Sequence, residues 1–497
     1  MKKFLKNVLW GFGGQILSLG ISFLLPRFVL LAFGSEVNGI TATVTQIFVY
    51  LALLEGGIGN ASKNRLYADI AREDRQGICL TVSATRKYYF RCMPLYVLCV
   101  GLFALGYPLM IHTTVPASTV RGIILIQAAV GVINFCFTNT YMQLLAAEGR
   151  NYVYTNLTTL EKLLSVSLQL VLIQLGLDIV RLQLAVLLAC ALKAVLINGY
   201  VRRTYPWLCP VKGADTGLLK NRFSFIVHEV STVIFQGTDV FLISAFCSIR
   251  EASVYAIYSM IYSALNNLVN VLFHGMDYTL GEQYHKDLEQ YRKLHDLYDI
   301  LYSAFVFGVI SAAFVLTLPF VRLYTQGVTD ADYLRPALPL LFALIQLLSC
   351  SRAVASKLIT VSGRVKQTIP NTLTETAINL VASLVLVNVL GMPGVLLGTI
   401  LALLYRTNDM ILYANRKVLG RSPLGAYKTM GVNLLVFCAV AAFGWLCPIP
   451  VESYLSFVCW GAVILPASLT LCFGAHWLTS PLLRRELAHW AGKLRRS

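Results

Sequence analysis

Residues 179–203 read IVRLQLAVLLACALKAVLINGYVRR. From Ile179 to Val201 the run is apolar over a length that matches the hydrocarbon core of a bilayer, which takes about 20 helical residues to cross. It is then closed by Arg202 and Arg203. Working outward in both directions, the same unit recurs about 14 times, at residues 8–32, 40–58, 88–111, 122–146, 156–175, 179–201 and 223–246 in the first half. In the second half it recurs at 252–273, 298–321, 336–359, 368–390, 395–414, 430–447 and 454–477. The chain reads as an all-α polytopic membrane protein.

The linkers carry the topology. The chain has 41 Lys and Arg against 24 Asp and Glu, and the bases collect at the amino terminus, in the even-numbered linkers and in the tail. The odd-numbered linkers hold only Arg121, Arg181, Arg250, Arg322 and Arg335. Because Lys and Arg stay on the cytoplasmic side of short loops, both termini are expected in the cytoplasm. The net charge of +17 is therefore explained by topology and by contact with anionic lipid headgroups, and no nucleic-acid partner is called for. With 57% hydrophobic and 13% charged residues, no long polar stretch is left from which to build a soluble domain.

The basic segment 202–222 and the segment 415–429 divide the chain into six, six and two stretches. The expected organisation is an amino-terminal lobe (1–201), a cytoplasmic linker (202–222), a second lobe (223–415), a final pair of helices (416–478) and a basic amphipathic tail (479–497). Each six-stretch block opens with two spans and then a long charged cytoplasmic linker, 63–87 in the first and 284–296 in the second, which reads as an internal parallel repeat. In the tail, Leu483, Leu487, Trp490 and Leu494 share one helical face among Arg484, Arg485, Lys493 and Arg495, the pattern of an interfacial helix.

The twelve cysteines show no metal-binding or disulfide spacing and read as small packing residues. No nucleotide-binding loop, zinc-protease motif or serine-hydrolase elbow occurs, so no cofactor or metal is expected. What remains are ionisable residues at membrane depth, each costing at least a few kcal/mol unless paired or facing a watery cavity.

Arg27 follows Pro26 in the first span, where it either grips a phosphate in a bent, cavity-lining helix or snorkels to the headgroups. Lys162, Lys193 and Arg406 each lie about eight residues, or roughly 12 Å, from a cytoplasmic helix end, and Arg352 lies deeper than Lys357 in the tenth span. Arg406 and Asp409 are also spaced to neutralise each other, and Glu161 and Lys162, being adjacent, point apart. Among the acids, Glu55, Asp239 and Glu375 are candidates for ion coupling or for pairing with a base on a neighbouring helix. Gly394 and Gly398 form a small-residue motif for close helix packing.

Three segments carry a family resemblance: 34–39 (GSEVNG), 46–67 (QIFVYLALLEGGIGNASKNRLY) and 143–154 (QLLAAEGRNYVY). With the six, six and two arrangement, they resemble the polysaccharide branch of the multidrug/oligosaccharidyl-lipid/polysaccharide exporter superfamily, the flippases of O-antigen and capsule repeat units. The resemblance implies a multi-pass protein of the bacterial plasma membrane that moves a polyprenyl-diphosphate-linked oligosaccharide between leaflets by alternating access. It would work beside the polymerase or glycosyltransferases of the same pathway, and would be a transporter rather than an enzyme. A diphosphate cannot cross hydrocarbon unaided, so a basic cleft is required, and Arg27, Lys162, Lys193, Arg352 and Arg406 are the residues expected to line it. Two rivals share parts of this pattern. An ion-coupled multidrug antiporter of the same superfamily would use Glu55, Asp239 or Glu375. A membrane polysaccharide polymerase would need an outer loop larger than any here.

Overall fold

The computed structural model describes residues 2–52, 58–211, 237–273, 276–447 and 449–486. Among these every regular element is a helix: α1 (Lys2–Leu51), α2 (Ile58–Ala71), α3 (Arg75–Met110), α4 (Ala117–Ala147), α5 (Asn151–Gln174), α6 (Ile179–Thr204), α7 (Gly237–Phe246), α8 (Ile249–Phe273), α9 (Met276–Lys286), α10 (Leu288–Tyr324), α11 (Ala337–Val361), α12 (Ile369–Leu390), α13 (Met392–Leu412), α14 (Leu424–Leu446) and α15 (Tyr454–Thr479). Among the described residues, eleven helices are long and apolar enough to cross a membrane, and the shorter apolar α7 accompanies them. This is a multi-pass membrane protein. Helical backbone satisfies its own polar groups in hydrocarbon, so leucines on the outward faces, such as Leu109 at 82% exposure, need no protein partner.

The first apolar stretch and residues 40–51 of the second lie in α1, bent where Gly34 takes φ 79°, ψ 179°. That backbone region is open to glycine almost alone. Just past the bend, Asp330 accepts from the Ser35 backbone N–H at 2.7 Å and from its hydroxyl at 2.6 Å.

The expected cytoplasmic linker 63–87 is folded: α2 runs to Ala71 and α3 starts at Arg75. Asp74 caps α3 by accepting from Gly77 N–H at 2.9 Å, and buried Asp69 accepts from the Thr81 hydroxyl at 2.8 Å. Its counterpart 284–296 is likewise helical, with Asp287 capping α10 through Glu289 and Gln290. A cap that satisfies otherwise orphaned N–H groups makes a charged stretch a helix start.

By internal packing the chain divides after Ala256, with residues 327–331 joining the first unit. Here the structure departs from a division at the basic linker: α7 and the first turns of α8 group with the first unit. The ties are local. Asn38 donates to the Ser253 hydroxyl at 2.7 Å, the hydroxyls of Tyr50 and Thr238 lie 3.0 Å apart, and Arg250 donates to Glu36 at 2.9 Å. Within this unit α4 packs on α6, and α5 on both α1 and α6. Phe135 stacks its edge on Tyr89 and tilts against Tyr96 in the core.

In the second unit α10 is the central helix, packed against α11, α14 and α15. The closest pair is α12 and α13, joined at Gly391 with φ 63°. There the motif Gly394 and Gly398 does what its spacing predicts. A Cβ at Gly394 would stand 2.2 Å from the Leu386 carbonyl oxygen, and one at Gly398 2.6 Å from the Ser383 nitrogen. Of the tail, Leu483 is buried against Leu297 and Ile300, whereas Leu487, Trp490 and Leu494 lie outside the described residues.

Candidate functional site

The ionisable residues singled out in the sequence fall into separate groups, each held by its own helices. In the second unit α11 is interrupted at Arg352, between Ala337–Ser351 and Ala353–Val361. From that break the Arg352 guanidinium donates to Glu375 on α12. Arg406, on α13 and 2% exposed, places Nε 3.4 Å from the other oxygen of the same carboxylate. Its Nη1 meets Asp409 three residues on, and its Nη2 donates to the Thr372 hydroxyl at 2.9 Å. Asn371 closes the group by donating to Asp409 at 2.6 Å.

Two guanidinium groups thus face two carboxylates in a cluster of no net formal charge. Burying an unpaired ion would cost several kcal/mol, and this is why the bases arrive with acids. Arg352 is the accessible member, its side chain 20% exposed against 6% for Glu375 and 2% for Arg406.

In the first unit Lys193 on α6 lies 2.8 Å from Glu161 on α5, with side chains 5% and 13% exposed. Lys162, one position along, is exposed, as adjacent helical residues must diverge. Arg27 is half-buried in α1, directly after Pro26. Asp239 on α7 is buried and accepts from the Tyr255 hydroxyl at 3.3 Å. Glu55 lies outside the described residues.

The structure therefore brings together Arg352, Glu375 and Arg406, and separately Lys193 with Glu161. Sequence reasoning passed over Asn371 and Thr372, which a polar turn (Asn371, Thr372, Thr374) at the head of an apolar helix could have flagged. It also passed over the acid Glu36, gripped by Thr113, Thr114 and Arg250. No group of metal-ligating side chains occurs among the described residues.

No family model and no curated protein matches the chain in sequence. Solved structures do match. The lipid II flippase MurJ in an inward closed conformation aligns with a TM-score of 0.66 over 94% of this chain and 98% of that one, at 12% identity. The MATE multidrug transporter DinF-BH, solved as a complex with a bound compound, aligns at 0.62 over 85% and 97%, at 14% identity. An inward-facing MATE family transporter of the MOP superfamily aligns at 0.59 over 86% and 99%, at 13% identity. The chain has the fold of these transporters.

Proposed function

We propose that this protein is a flippase for lipid-linked oligosaccharides, polyprenyl-diphosphate repeat units of bacterial O-antigen or capsule, in the plasma membrane. Both termini are cytoplasmic in this reading, and the polymerase or glycosyltransferases of the pathway are its working partners. The observation that carries it is the Arg352, Glu375, Arg406 and Asp409 cluster among apolar helices. A diphosphate arriving beside Arg352 competes with Glu375 for the same guanidinium, and bidentate arginine–phosphate pairing is among the strongest contacts available to it. Arg27, Lys162, Lys193 and Arg406 are the further bases of the path. The likeness to a lipid II flippase supports a lipid-linked substrate, as do the three polysaccharide-like segments.

The second reading, an ion-coupled multidrug antiporter, is favoured by the MATE likenesses, one of them a multidrug transporter with a compound bound. In it Glu375 and Asp239, with Glu55, would exchange protons or cations for the drug.

One experiment separates the two. The protein is reconstituted in liposomes with a labelled polyprenyl-diphosphate oligosaccharide, and leaflet exchange is measured for the wild type, Arg27→Ala and Arg352→Ala. Exchange that requires the protein and falls in the variants supports the flippase. Absence of exchange across several glycans, with proton-coupled efflux of cationic dyes, supports the antiporter.

A further inference from the structure

A cavity of about 260 Å³ opens in the second unit between the third and fourth turns of α10, the start of α14 and the end of α15. It is just below the range of about 300–1,000 Å³ that takes drug-sized ligands, so it suits a small group. The start of α14 and the end of α15 are ends of apolar spans, and span ends face the headgroup region of a bilayer.

The lining carries both signs of charge. Arg421 is occupied: it donates to both oxygens of Asp296, at 2.8 and 2.5 Å, and through Nε to Asn415 at 3.0 Å. Lys428 and Asp299 are not matched in this way. Lys428 makes only a 3.3 Å bond to the Thr479 carbonyl, and Asp299 accepts only a 3.5 Å bond from Ser303. Among the described residues no ion pair joins either to an opposite charge. One cation and one anion thus face the same small space, with the hydroxyls of Thr429 and Ser480 beside them.

A purely anionic headgroup would bring its phosphate against Asp299, whose charge the nearby Arg421 and His295 offset without a direct ion pair, and a simple cation would meet Lys428. A zwitterion satisfies both. We propose that this cavity binds the phosphoethanolamine headgroup of phosphatidylethanolamine, its ammonium on Asp299 and its phosphate on Lys428. The three N–H donors of a primary ammonium distinguish it from the methylated headgroup of phosphatidylcholine, which has none. The site is separate from the Arg352 cluster and does not depend on the substrate proposed above.

The test is native mass spectrometry of the full-length, delipidated protein, titrated with phosphatidylethanolamine, phosphatidylcholine and phosphatidylglycerol of identical acyl chains. Glycerophosphoethanolamine and inorganic phosphate serve as soluble competitors. The ethanolamine lipid is expected to bind about tenfold tighter than the other two, the worth of one charge-assisted hydrogen bond, and glycerophosphoethanolamine but not phosphate should displace it. Asp299→Asn should erase the preference over phosphatidylcholine, and Lys428→Gln, at an exposed position, should weaken both lipids alike. Equal binding of the three lipids overturns the proposal, as does displacement by inorganic phosphate. So does a folded Lys428→Gln protein that keeps wild-type affinities.

Discussion

Lys193 and Glu161 meet at 2.8 Å between α6 and α5, both nearly out of reach of solvent. Removing one partner leaves an uncompensated buried charge, which costs about 3–5 kcal/mol, whereas replacing both by uncharged groups is far milder. Lys193→Met and Glu161→Gln are each expected to lower the thermal unfolding midpoint in detergent sharply, and the double variant to recover most of the loss. Additive losses in the double variant would show that the two charges are not coupled.

Glu375 serves two arginines at once, so Glu375→Gln should disturb more than Arg352→Ala does. The glutamine leaves Arg406, the least exposed of the group, with Asp409 as its remaining acid, and is expected to reduce folded yield as well as transport. Arg352→Ala is expected to keep the fold and lose transport, and Arg352→Lys not to restore it, since an ammonium lacks the planar fork. Size-exclusion profiles alongside liposome exchange rates separate the two outcomes.

The α12–α13 contact has no room for a methyl group. Gly398→Ala would set a Cβ 2.6 Å from the Ser383 backbone nitrogen, a clash with main chain that no rotamer relieves. A loss of about 1–3 kcal/mol is expected, as for other overpacked interiors, and Gly394→Ala should cost at least as much because the Leu386 carbonyl oxygen is closer still, at 2.2 Å. Gly425→Ala, where nothing lies within 4 Å, is the control and should be neutral in the same unfolding measurement.

At Gly34 the constraint is conformational as well as steric. A Cβ there would approach an Asp330 carboxylate oxygen to 2.9 Å in a backbone region costing other residues about 1–3 kcal/mol. Gly34→Ala should therefore destabilise by that order. Asp330→Ala, which removes the clash and also the two bonds to Ser35, should rescue it only in part. Thermal unfolding of the two single variants and the double variant reads this directly.

Much of the fold was legible because its determinants are local. An apolar run such as 179–201 and its basic end are read within one window, and α6 covers Ile179–Thr204. The Gly394 and Gly398 motif and the Arg406 and Asp409 spacing were legible for the same reason. The linkers 63–87 and 284–296 look like loops until their caps, Asp74 and Asp287, are seen bonding to backbone. The partners of the buried charges were not legible. Glu375 could be flagged as costly, but that Arg352 and Arg406 both answer it depends on how α11, α12 and α13 face one another. The headgroup-sized cavity is further still from local pattern, since its walls come from residues as distant in the chain as Asp296 and Leu482.

The neutrality of the buried clusters bears on energetics. Moving one elementary charge across a membrane potential involves about 2.3 kcal/mol per 100 mV. Arg352 and Arg406 with Glu375 and Asp409, and Lys193 with Glu161, travel as electrically silent groups whichever way their helices shift. Any current that accompanies transport would then report the charge of the cargo and of whatever ion moves with it, rather than displacement of these protein charges through the field.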